Sequence, residues 1–139
     1  PGDPAGDRRR PEAARLRLTR RRPRRPRVLD ADALERVLIQ AAREGRTVSY
    51  RQLLAMAGRR VGPNNVRALM RVLAEVCRRT AARGEPDLAC LVVREQDGLP
   101  GEGYFAAEAA TGEALQGSRR ARVERAQAEA YAFWAAEAR

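Results

Sequence analysis

The sequence predicts a mainly α-helical domain with a small β wing, preceded by a disordered basic arm and closed by a C-terminal helix. Three observations predict it. Apolar residues recur at helical spacing through four segments, about 32–44, 49–58, 64–82 and 118–138. One short apolar run, 88–93, is followed by three glycines within residues 98–103. Residues 1–27 hold 11 Arg and five Pro with no periodicity that could build a core.

Leu34, Val37, Leu38 and Ala41 share one helical face, and Asp32 with Glu35 has the form of a capping box. A first helix is therefore expected from Asp32 to Glu44, closed by Gly45. Arg46-Thr47-Val48 reads as a short extended piece. Ser49 then offers a hydroxyl cap to a second helix with Gln52 at its third position, carrying Leu53, Leu54 and Met56 and ending at Gly58. The turn Arg59-Arg60-Val61-Gly62-Pro63 leads into a third helix, Asn64 to Ala82. Val66, Leu69, Met70, Leu73, Val76, Cys77 and Thr80 form its apolar face, while Asn65, Arg67, Arg71, Arg78 and Arg79 point the other way.

Leu88 to Val93 reads as a buried strand. The glycine-rich stretch from Gly98 to Phe105 is expected to avoid helix and to form a tight loop or wing. A last helix, Ser118 to Ala138, turns Val123, Ala126, Ala130, Phe133 and Trp134 inward, its aromatics serving as packing anchors rather than a base-stacking platform. Two helices joined by a turn, the second basic and followed by a strand and a glycine loop, are the parts of a winged helix-turn-helix. The arm is placed at 1–29 and the domain at 30–139.

The 139 residues leave room for one domain plus a tail, and with aromatics at 4% the core must be small. All 28 basic residues are Arg, and the net charge of +10 points to a polyanionic partner. Arginine in place of lysine is equally the mark of a GC-rich genome. Residues 1–27 carry a net +8, and Arg20, Arg21, Arg22, Arg24, Arg25 and Arg27 are suited to lie along phosphates or enter a minor groove. The alternative is a tail that serves solubility. Within the domain, residues 45–83 hold nine Arg against Glu75 alone, whereas 84–139 hold six Arg against ten acids. The positive face is thus confined to one segment.

No histidine is present, and Cys77 and Cys90 have no metal-ligand spacing, so no metal site, no Ser-His pair and no cofactor are expected. The two thiols read as reduced core residues of a cytoplasmic, nucleoid-associated protein. Glu102, Glu108 and Glu113 read as solvated carboxylates on a loop. No apolar run reaches the ~18 residues of a membrane span.

The segments Val48-Ser49-Tyr50-Arg51-Gln52-Leu53-Leu54-Ala55-Met56-Ala57-Gly58, Pro63-Asn64-Asn65-Val66-Arg67-Ala68-Leu69 and Leu91-Val92-Val93 resemble the DNA-binding domain of alkylguanine-DNA alkyltransferases and their alkyltransferase-like relatives. The likeness spans residues 34–105. It implies that Tyr50 contacts a phosphate beside an extruded nucleotide and that Arg67 fills the gap that the base leaves. The family's enzymes carry Pro-Cys-His-Arg before the paired valines. Aligned on Val92 and Val93, this chain has Leu88-Ala89-Cys90-Leu91, which places Ala89 at the nucleophile position. Cys90 is one residue late and would point to the opposite face of a strand. Alkyl transfer is not expected, and the chain is read as non-catalytic.

The expected function is duplex DNA binding, with Tyr50, Arg51, Arg59, Arg60, Asn64, Asn65, Arg67, Arg71 and Arg78 on the domain and the arm arginines on phosphates. Two alternatives stand beside it. One is a protein-interaction module whose acidic C-terminal half binds a partner while the arm alone meets nucleic acid. The other is binding to structured RNA or the ribosome.

Overall fold

The computed structural model describes residues 29–137. They form five α-helices, one 3-10 turn and a two-stranded parallel sheet, in the order α1 (Ala31–Glu44), β1 (Val48–Ser49), α2 (Tyr50–Met56), α3 (Pro63–Ala82), 3-10 turn (Ala89–Leu91), β2 (Val92–Val93), α4 (Glu102–Ala110) and α5 (Arg119–Glu137).

α1 starts two residues earlier than the capping-box pattern suggests. Asp30 is the cap, its carboxylate accepting the Ala33 N–H at 2.8 Å, and Gly45 closes the helix with φ of 68°. Asp32 and Glu35 are freed from capping and meet α3 instead: Arg79 donates to both, at 2.7 and 3.3 Å. Leu34, Leu38, Ala41 and Ala42 are buried, and α1 is the central helix, packed against α3 on one side and α5 on the other. Each buried leucine on it stabilises the fold by roughly 2 kcal/mol. From α5, Val123, Ala130 and Trp134 are buried, with Phe133 edge-on to Trp134 at 5.0 Å, as packing anchors.

α2 begins as expected. Ser49 accepts the Gln52 N–H at 3.0 Å while the Gln52 side chain accepts the Ser49 N–H at 2.8 Å. Residues 57–62 then turn the chain into α3, and Asn65 fixes that turn by donating to the Arg60 carbonyl at 2.8 Å.

Three expectations need correction. The run 88–93 is a strand only at Val92 and Val93, which pair in parallel with Val48 and Ser49; Ala89, Cys90 and Leu91 form the 3-10 turn. The alternation argument that set Cys90 opposite Ala89 therefore does not apply to them. The glycine-rich stretch is not a wing: among the described residues, β1 and β2 are the only strands, and no strand follows Gly98. Residues 94–99 make a tight turn and Gly101 caps α4. Gly103 lies in the first turn of that helix, where its cost of about 1 kcal/mol is offset by burial of Phe105 and half-burial of Tyr104. Consequently Glu102 and Glu108 stand on a helix, not a loop. No helix among the described residues is long and apolar enough to cross a membrane.

Leu29 belongs to the folded core. It is buried and lines a small cavity together with Leu53 and Leu54 of α2, Ala57 just after that helix, and Leu69 and Val72 of α3.

Candidate nucleic-acid interface

The third helix sorts its arginines by position along its axis. Near its C-terminal end, Arg78 is bound by Glu75 at 2.7 Å, Arg79 by Asp32, Glu35 and Glu75, and Arg83 by Glu35 and Glu85. Hydrogen bonds from these guanidiniums hold the Asp32 and Glu75 carboxyls below their ordinary range. The cluster joins α3 to α1 and leaves that end of the helix nearly neutral. Arg78, expected at the interface, is thus engaged by an acid within its own helix.

At the N-terminal half the situation is reversed. Arg67 and Arg71 are exposed and one turn apart on the same face. Arg67 donates only to the Asn64 side chain, and Arg71 has no partner among the described residues. Arg60 and Arg59 are exposed on the preceding turn, and Asn64 is exposed beside them. Gly62 supplies no side-chain cap and Pro63 has no N–H, so the first amides of α3 face outward with the positive end of the helix dipole. The acidic half of the chain does not cover this surface, since α5 packs on α1 and on the 3-10 turn. Arg51 lies aside, ion-paired with Glu95 at 3.1 Å. The arm arginines, 20–27, fall outside the described residues.

Tyr50 has a structural partner. Its hydroxyl accepts the Gly101 N–H at 2.7 Å, and burial raises the phenol above its usual range. The same ring lines an open groove of about 810 Å³ between α3 and α4. The seven-residue apolar face read from the sequence divides in two here. Leu69, Leu73, Val76 and Thr80 are buried, whereas Val66, Met70 and Cys77 form an adjacent strip that floors the groove together with the edges of Leu73 and Thr80. Periodicity alone could not reveal this division, because it marks apolar positions without saying how wide the covering element is. Arg67 and Arg71 follow Val66 and Met70 in the chain but are not among the residues that line the groove.

Ala89 lines the groove and offers it no nucleophile. Cys77 reaches it, but burial and the neighbouring Asp87 carboxylate push its thiol up to about 12. Cys90 is fully buried, and burial raises its thiol further. Neither is poised as a thiolate near neutral pH. No group of acids and thiols among the described residues has the spacing of a metal site. No family model, curated protein or solved structure matches this chain.

Proposed function

We propose that this protein is a non-catalytic, nucleoid-associated DNA-binding protein that uses a helix-turn-helix without the expected wing, with α3 as its recognition helix. The observation that carries the reading is the sorting of charge on α3: Arg67 and Arg71 are exposed without an acidic partner, while Arg78, Arg79 and Arg83 are held by carboxylates. Guanidiniums kept free on one half of a helix, with uncapped amides beside them, are suited to phosphates and base edges.

The resemblance to alkyltransferase-like proteins adds a role for the groove. Tyr50 and Ala89 both line it, as does Val66, the residue before Arg67. In that reading the groove receives a base extruded from the duplex, Arg67 occupies the vacated space, and the absence of a nucleophile at Ala89 leaves the base bound but unmodified. The committed hydroxyl of Tyr50 keeps its own proton to donate, so a phosphate contact remains compatible with its bond to Gly101.

Titration of a labelled duplex with three proteins tests the proposal: the full chain, a chain lacking 1–27, and the full chain with Arg67→Ala and Arg71→Ala. Binding that survives arm removal and is lost with the paired substitutions supports the helix. Loss on arm removal alone supports instead a protein-interaction module with a nucleic-acid tail. Stronger binding to folded RNA than to duplex DNA supports the RNA reading.

A further inference from the structure

Two asparagines open α3, and each is bound to an arginine. Asn64, exposed on the second helical position, accepts from the Arg67 guanidinium. Asn65, half-buried on the third, donates from Nδ2 to the Arg60 carbonyl at 2.8 Å and lines the small cavity beside Leu29 and Arg59. Its donor is engaged by the protein and is not offered to a base edge.

That bond matters because little else fixes the stretch it holds. Upstream, the Arg59 N–H donates to the Leu54 carbonyl at 2.8 Å; downstream, the Gly62 carbonyl accepts the Val66 N–H at 2.8 Å as the first bond of α3. Between these points, the tie from Asn65 is the only hydrogen bond made by Arg60 and Val61 among the described residues. Both residues are exposed, and neither packs against the core. The Arg60 guanidinium has no partner there, so the backbone is what sets its place. A segment left loose must be ordered when it binds, and that ordering weakens affinity. Asparagine suits the task, since it supplies a donor on a short side chain, whereas alanine has none and aspartate would set an acceptor against the carbonyl.

We infer that Asn65 is a positioning residue: it holds Arg60 in a fixed place ahead of α3, so that Arg60 meets a phosphate as the helix enters the groove, and it reads no base itself. The inference rests on the DNA-binding reading of α3 above.

The test measures duplex binding by the full-length protein over a series of salt concentrations. The logarithm of affinity falls with the logarithm of salt by about 0.9 for each phosphate neutralised, so Arg60→Ala should flatten the slope by about that amount. Asn65→Ala exchanges one uncharged residue for another, yet it should flatten the slope by most of the same amount and weaken binding roughly fivefold at low salt. In an Arg60→Ala background it should change affinity by less than about twofold, since the residue through which it acts is gone. Asn65→Ser keeps a polar side chain too short to reach the carbonyl; it should match Asn65→Ala and guards against misfolding of the alanine variant. A slope unchanged by both Asn65 variants, or by Arg60→Ala itself, overturns the inference. So does a loss that persists undiminished without Arg60, which assigns Asn65 to a base edge or to the fold alone. Binding indifferent to Arg67→Ala and Arg71→Ala overturns the DNA-binding reading of α3, and the inference with it.

Discussion

Gly101 and Tyr50 form a contact whose cost can be worked out before it is measured. Gly101 has an ordinary extended backbone, with φ of −74° and ψ of 178°, so no conformational reason requires glycine there. The requirement is steric: a Cβ on Gly101 would lie 2.7 Å from the Tyr50 hydroxyl oxygen and 3.7 Å from the ring carbon that bears it. The oxygen must retreat by roughly 0.7 Å to reach ordinary contact, which stretches its 2.7 Å bond from the Gly101 N–H to about 3.4 Å and removes most of its strength. Gly101→Ala therefore loses one hydrogen bond, about 1 kcal/mol, and adds a modest repacking cost, for a total near 1.5–3 kcal/mol. Tyr50→Phe alone should cost about 1 kcal/mol, since it strands the same N–H. The double variant contains no oxygen to collide with and loses the bond only once. Its cost should fall short of the sum of the singles by about 1 kcal/mol or more, whereas independent sites add within about 0.5 kcal/mol. Equilibrium urea denaturation followed by far-ultraviolet circular dichroism and by the single tryptophan reads all four corners of the cycle. Strict additivity would refute the contact.

Three further outcomes are expected. Ser49→Ala removes one half of the reciprocal cap on α2 and should cost about 1 kcal/mol in the same urea assay, with Gln52→Ala giving a smaller loss. Asp32 and Glu75 have folded pKa values depressed below their ordinary 3.8 and 4.5, chiefly by hydrogen bonds from Arg79 and Arg78. A lowered folded pKa contributes stability that is present above the ordinary value and lost as pH falls through the folded one, so stability should decline below about pH 4, less steeply in Asp32→Asn. Cys77, with its thiol pushed up to about 12, and buried Cys90 should resist iodoacetamide at pH 8 and react only after unfolding, a comparison that mass spectrometry reads directly.

Much of the fold was legible because local signals sufficed. The leucine and valine spacing of α1 and α3, the left-handed Gly45, and the Ser49–Gln52 pair each depend on residues within a turn of one another. What escaped depends on residues far apart in the chain. The Asp32 and Glu35 carboxylates look like first-turn acids until Arg79, 47 and 44 positions away, is brought against them. α4 was hidden because alanines with Gly103 show weak periodicity, and its Phe105 and Tyr104 acquire a reason to be helical only once α3 and α5 stand beside them. At the interface, residue type alone could not separate Arg71 from Arg78, since both are exposed arginines on one helix; only Glu75 distinguishes them. The groove was the least accessible feature, because it is the part of an apolar face that the core leaves uncovered.

The burial of Leu29 decides where the chain can be shortened. A cut after residue 27 keeps this side chain against its apolar neighbours Leu53, Leu54, Leu69 and Val72, whereas a cut after residue 29 removes it and should lower stability by roughly 2 kcal/mol.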